Sequence, residues 1–128
     1  MIDKDIQDIL DTSRGGTLQI LLDKQKEFGS KFTRFGEMTE HEQQVKMLEF
    51  IGCLIEEIVE VRTELPIRKH WSKKRLNSPD WVKVKEELID SLHFMLTLFL
   101  ILDMDENEIC GLYMMKNKVN HTRQKGGY

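Results

Sequence analysis

Apolar residues recur at three- and four-residue steps along most of the chain, and no stretch alternates residue by residue, so the pattern predicts helices and no strands. A short amphipathic piece (Ile2, Ile6, Ile9, Leu10) ends at Gly15-Gly16. A second helix is expected from about Thr17 to Lys26, with Leu18, Leu21 and Leu22 on one face; Phe28-Gly29-Ser30 and Phe35-Gly36 mark its exit and a loop. The third follows Thr39, whose spacing to Glu42 makes a capping box. It carries Val45, Leu48, Ile51, Leu54 or Ile55, Ile58 and Val61 on to Leu65, where Pro66 closes it. After a basic connection, Ser78-Pro79-Asp80 is expected to open a fourth helix, with Ser78 as the cap and Pro79 at the first helical position. This helix carries Val82, Leu88, Ile89, Leu92, Met95, Leu96 and Phe99 to about Leu102. Asp103-Met104-Asp105 turns the chain into a fifth helix, Glu106 to about Arg123, and residues 124–128 form a basic tail. Two long helices joined by a loop and flanked by shorter ones predict an all-α, four-helix-bundle-like domain of about five helices. The third and fourth are then antiparallel neighbours.

Composition narrows the class. The 128 residues fit one domain, and 40% hydrophobic with 32% charged residues excludes a disordered or collagen-like chain. A net charge of −3 argues against nucleic acid as a partner. The longest apolar run, Leu92 to Leu102, is about half of what a membrane span needs, so a buried core helix is expected and no membrane partner. Cys53 and Cys110 sit in apolar stretches, as free buried thiols of a reducing cytoplasm would, and the acidic N-terminus is no signal peptide.

The carboxylates change the picture. Glu56, Glu57, Glu60 and Glu64 are embedded in the apolar third helix, and Glu57, Glu60 and Glu64 stack on one face at i, i+3 and i+7. In the fourth helix, Glu87 and Asp90 are i, i+3 and lead into the most apolar segment; Lys83 is placed to pair with Glu87. Either motif alone is common on a solvated face. Both together, each on a helix that also carries core residues, describe four carboxylates converging on a groove, where like charges need a bound counter-ion. Oxygen ligands of this kind suit a hard divalent cation that keeps sites open for water and phosphate. Glu56 and Glu86 point about 100° away, towards solvent or the surroundings of the site.

The fifth helix ends in Lys116, Asn120 and Arg123 at i, i+4 and i+7, with Lys118, Gln124 and Tyr128 nearby, while Leu112, Met115 and Val119 can pack. Such cations complement the helix dipole, and beside a metal they are phosphate ligands. Metal-assisted phosphoryl chemistry on a polyphosphate follows. There is no Walker loop, G-x-G-x-x-G, Ser-His-Asp set or thiolate zinc spacing.

Glu56-Glu57-Ile58-Val59-Glu60 and, after 26 intervening residues, Glu87-Leu88-Ile89-Asp90 resemble the E-E-x-x-E … E-x-x-D signature of the all-α nucleoside triphosphate pyrophosphatases, which include MazG-type enzymes and dimeric dUTPases. The segment from Lys116-Asn117 through Asn120 and Arg123-Gln124 to Gly127-Tyr128 is more similar to the tail of the dimeric dUTPases, and Asp90-Ser91-Leu92-His93-Phe94 resembles their D-x-L-H-F. Gln25 matches an early helical glutamine, and Trp71-Ser72-Lys73 an aromatic-basic loop. The chain is short for a dimeric dUTPase, and the helix bearing Gln25 meets Phe28-Gly29 early.

The resemblance implies hydrolysis of dUTP, and in the family also dUDP, to dUMP. Glu57, Glu60, Glu87 and Asp90 would hold Mg²⁺. Lys116, Asn120, Arg123 and Tyr128 would contact the deoxynucleoside triphosphate, with Gln25 near base or sugar, Trp71 shaping the pocket and Lys73 near the phosphates. A metal-activated water, with Glu60 or Glu57 as base, would attack the α-phosphate and release pyrophosphate. His93 and Trp81 are expected to pack in the core, and Gly52 to mark close helix–helix approach. The surplus of apolar helix faces predicts a homodimer or homotetramer with the site near the interface. Other readings stay open: a MazG-like or dCTP-directed pyrophosphatase, or a non-catalytic nucleotide-binding adaptor. A purely structural coiled coil is disfavoured, since the fourth helix lacks sustained heptads with charged flanks.

Overall fold

The computed structural model describes residues 4, 5, 7, 8, 16–73 and 77–127. Its helices are α1 (Thr17–Gly29), α2 (Glu40–Thr63), α3 (Trp81–Ile101) and α4 (Glu106–Lys125), with a 3₁₀ turn at Pro66–Arg68 and no strand among the described residues. Lys4, Asp5, Gln7 and Asp8 are also helical. The apolar positions expected around them (Ile2, Ile6, Ile9, Leu10) lie outside the described residues, as does Tyr128.

The α2–α3 pair is the frame of the molecule. Gln43 Nε2 donates to the Ile101 carbonyl at 3.1 Å, Phe50 meets Phe94 at a ring separation of 6.3 Å, Glu57 faces Glu87 and Asp90, and Glu64 bonds Lys83. Positions 43, 50, 57 and 64 climb α2 in steps of seven while their partners descend α3, so the two helices run antiparallel with a coiled-coil-like register. The Gln43 bond also satisfies one of the carbonyls that the end of α3 leaves open.

Helix starts are set by side chains. Thr39 Oγ1 accepts from the Glu42 amide at 3.1 Å, as the capping box predicts. For α3 the cap is Asp80, not Ser78: Asp80 accepts from the Lys83 amide at 3.2 Å and the helix begins at Trp81. An aspartate that can reach the N3 amide is as good a cap as serine, and it places Pro79 outside the helix. At the other end of α3, Asp103 takes φ of 53°, a left-handed conformation that Asp tolerates better than most residues, and the Met104 amide returns to the Phe99 carbonyl.

α1 and α4 are joined by a reciprocal clasp. Gly16 caps α1 without a side chain, and the Glu106 carboxylate supplies the missing acceptor, taking bonds from the Gly16 and Gln19 amides at 3.3 and 3.0 Å. Gln19 Oε1 in turn accepts from the Glu106 amide at 3.1 Å. A Cβ on residue 16 would stand 2.8 Å from Glu106 Oε2, so glycine lets the carboxylate come this close.

The core is small and lies where α1 crosses α3: Leu22, Leu96 and Leu100, with Leu18, Phe35, Leu92, Phe99 and Ile109 packed against them. The expected core faces are only partly used. On α2 the inward positions are Gln43, Met47, Phe50, Leu54, Glu57, Val61 and Glu64, all half-buried, whereas Val45, Leu48, Ile51, Ile55 and Ile58 are exposed. On α3, Leu96 is buried and Leu92 and Phe99 half-buried, but Val82, Leu88, Ile89 and Met95 are exposed, as is Trp81. α4 has no fully buried residue and meets the core through Ile109, while Leu112, Met115 and Val119 face outward. Gly52 has open space at its Cβ, so it marks no close approach within one chain. Both cysteines are free, but Cys53 is only half-buried and Cys110 is exposed. Among the described residues no helix is long and apolar enough to cross a membrane.

Candidate metal centre and cavity

The antiparallel register brings the two acidic motifs together. Glu57 from α2 and Glu87 and Asp90 from α3 each offer a carboxylate oxygen within 4.8 Å of the others. Asp90 is exposed and the two glutamates half-buried, so the group lies at the lip of the helix pair. Among the described residues no Lys or Arg pairs with any of the three. Lys83, placed by sequence to neutralise Glu87, instead bonds Glu64 across the helix pair at 3.1 Å, and this bond raises its pKa. It thereby serves the far end of the acidic stripe. Glu60 is exposed and stands outside the three-carboxylate group, close enough for its charge to act on both Glu87 and Lys83.

The electrostatic consequence falls on Glu87. Its carboxyl is held above the ordinary value by desolvation first, then by hydrogen bonding with Glu57 and by the charges of Glu57, Asp90 and Glu60. Three uncompensated carboxylates at this separation disfavour full ionisation, and a divalent cation removes the conflict. The donor set is all oxygen and includes no sulfur or imidazole, which suits Mg²⁺ or Mn²⁺ rather than Zn²⁺.

Beside this group opens a cavity of about 700 Å³ between α1, α2 and α3. Leu21, Phe28, Ile89, Leu92, Phe94 and Leu96 form its apolar walls; Lys24, Gln25, Glu57, Asp90 and His93 give it polar points. The volume and the mixture of apolar wall with a few convergent polar groups are those of a small-molecule site. Glu57 and Asp90 belong to both the carboxylate group and the cavity lining, so a ligand in the cavity would reach the acidic edge.

Gln25 is thus brought to the site. His93, expected in the core, is exposed and lines the cavity, because the face of α3 that carries Asp90 also carries residue 93, one turn on. Lys24, Phe28 and Phe94 were not singled out by their chemistry; Lys24 is the one cation among the described residues lining the cavity, and only its place beside Gln25 in the sequence hints at it. Trp71 is 74% exposed on the α2–α3 connection, edge-on to the His70 ring, and Lys73 is exposed nearby. Lys116, Asn120 and Arg123 are exposed along α4. None of these five lines the cavity of the single chain.

A sequence profile of the dUTPase family matches residues 17–106, which include α1, the three carboxylates and, from the clasp, Gln19 and Glu106. The chain is 31% identical to the dCTP pyrophosphatase of Enterobacteria phage T4 over 87% of this chain and 82% of that protein. It is 38% identical to the dCTP pyrophosphatase of Enterobacteria phage LZ5 over 49% of this chain and 40% of that one. No solved structure matches the chain.

Proposed function

The chain belongs to the dUTPase family, whose members are nucleotide pyrophosphohydrolases, and we propose that it hydrolyses a pyrimidine deoxynucleoside triphosphate, dUTP in the first instance, to the monophosphate and pyrophosphate. The observation that carries this is the meeting of Glu57, Glu87 and Asp90 at the edge of a cavity large enough for a nucleoside. These three carboxylates would hold Mg²⁺, with Glu60, one turn along α2 from Glu57, outside their group. When bound, the metal supplies charge neutralisation at the phosphates and a more acidic water.

The chain's own residues do the rest. Leu21, Phe28, Ile89 and Phe94 enclose the nucleoside and exclude water from it, with Gln25 and His93 as the polar contacts. Lys24 at the cavity wall offsets phosphate charge. Glu60, outside the ligand group, is the carboxylate left to take the proton of the attacking water. No side-chain nucleophile is required, and a direct attack at the α-phosphorus leaves pyrophosphate as the departing group. Lys116, Asn120 and Arg123, with Tyr128, would close on the phosphates.

A second copy is part of the proposal. Leu48, Ile51, Ile55 and Ile58 line the outside of α2 at alternating steps of three and four, the spacing of a coiled-coil seam. Covered by a second copy, this seam would form the centre of a homodimer, or of a tetramer built from it.

A second reading of the base, dCTP, is favoured by the similarity to the T4 dCTP pyrophosphatase over most of both chains. Turnover of dUTP, dCTP, dTTP, dATP, dGTP and UTP with Mg²⁺, followed as monophosphate and pyrophosphate, separates the two. Loss of turnover with EDTA and in Glu57→Gln or Asp90→Asn protein is expected. Folded wild-type protein that turns over none of the panel would refute the enzyme reading.

A further inference from the structure

Gln25 reaches from α1 to α3, where its Nε2 donates to Thr97 Oγ1 at 3.0 Å. Thr97 is 4% exposed and does not itself line the 700 Å³ cavity, whereas Gln25 does; both residues also line a smaller cavity of about 320 Å³. The threonine hydroxyl has one hydrogen, and it is spent on the His93 carbonyl one turn back, also at 3.0 Å. Thr97 Oγ1 is therefore left as an acceptor towards α1. An amide facing it must present its NH₂ end; the reverse orientation would set two oxygens against each other, or pull the hydroxyl from His93. The amide of Gln25 is thus held in one of its two orientations, and among the described residues nothing bonds its Oε1.

We propose that Thr97 is a positioning residue that fixes the Gln25 amide so that its carbonyl oxygen is offered to the base of a nucleotide in the cavity. The inference rests on the reading that this cavity takes the nucleotide. The group an acceptor at this point selects is an N–H on the pairing edge of a pyrimidine, the 4-amino group of cytosine or the N3–H of uracil. Thr97 does this without touching the ligand. Its contribution is the cost of turning the amide over, about one buried hydrogen bond, which corresponds to roughly two- to tenfold in the discrimination between bases.

The test is binding of dCMP and dUMP by titration calorimetry to wild type, Thr97→Val, Thr97→Ser and Gln25→Met, with turnover of dCTP and dUTP measured on the same preparations. Thr97→Val should compress the ratio of the two dissociation constants by about two- to tenfold, and Thr97→Ser, which keeps the hydroxyl, should retain it. In a Gln25→Met background Thr97→Val should compress it no further, since the group through which it acts is gone. If Thr97→Val does not fold, Thr97→Ala carries the same expectation. The proposal is overturned if Thr97→Val keeps the wild-type ratio, if Thr97→Ser loses as much as Thr97→Val, or if wild type does not discriminate between the two bases. Wild type that discriminates in binding but turns over neither triphosphate would overturn the pyrophosphatase reading alone, and the ratio would still decide the role of Thr97.

Discussion

Replacing Glu106 by Ala removes both acceptors that close the first turn of α1, the bonds from the Gly16 and Gln19 amides, and nothing on α1 itself can take their place because its cap residue is a glycine. Loss of a capping side chain costs about 1 kcal/mol, within a range of about 0.5–2, and loss of a negative charge at a helix N-terminus a further ~0.3–1. The reverse bond, from the Glu106 amide to Gln19, belongs to the backbone and survives if the helices stay in place. The expected loss is therefore about 1.3–2 kcal/mol. For a chain of this length that is a fall of roughly 5–7 °C in Tm, read at fixed protein concentration so that association does not enter. Glu106→Gln keeps one acceptor without the charge and should lose about half as much. Urea unfolding of the three proteins side by side is the assay. Alanine and glutamine variants both within about 0.3 kcal/mol of wild type would refute the clasp. The consequence reaches function: α4 contacts the rest of the chain chiefly through α1, so a loosened clasp should also weaken whatever Lys116, Asn120 and Arg123 contribute to phosphate binding.

Two further expectations follow from the site and the core. Glu87 binds its proton more tightly in the folded chain than at its ordinary value of 4.5, so the folded state carries more protons in that window and stability falls as the pH rises through it. Urea midpoints from about pH 4 to 7 in EDTA should show this slope, Glu87→Gln should remove it, and an unchanged slope in the variant would be contrary to the charge conflict described. Leu96→Ala, at a side chain 2% exposed between Leu22 and Leu100, should cost about 2–5 kcal/mol in the same assay; a cost under about 1 would mean the site collapses freely.

What was legible from sequence was local chemistry and period. Thr39 and Glu42 lie three residues apart, and their bond is a property of that spacing. The same holds for the stacking of Glu57 on α2 and of Glu87 with Asp90 on α3, and once two long helices are joined by a loop their acidic turns have few ways to avoid meeting. The choice of face was not legible. α2 is apolar on two sides: of the positions read as its packing face, Leu54 and Val61 do turn inward, but Val45, Leu48, Ile51, Ile55 and Ile58 are left open by a single chain, and the contact also runs through Gln43, Phe50 and Glu57, two of them polar. Glu106 and Gln19 are 87 residues apart and unremarkable in their own helices, so no local pattern announces the clasp. Helical spacing offers Lys83 to Glu87, but Glu64, at the end of α2 across the helix pair, takes it at 3.1 Å.

The two faces of α2 explain each other. Its inner seam carries Glu57 and Glu64 among half-buried positions, so the α2–α3 contact gains less from apolar burial than a helix pair of this length ordinarily would. Glu64 is offset by Lys83; Glu57 is not, and its conflict with Glu87 and Asp90 is left for a ligand to resolve. Such a centre weakens the frame that holds it, and with Leu22, Leu96 and Ile101 as the largest fully buried side chains among the described residues there is little apolar burial to offset it. The outer seam of Leu48, Ile51, Ile55 and Ile58 is the available compensation: covered by a second copy, it would bury on the back of α2 the apolar area that its front gives up to the carboxylates. On this account acidity on one side and association on the other are a single arrangement, in which a helix can present uncompensated charge to a substrate because its opposite face is anchored.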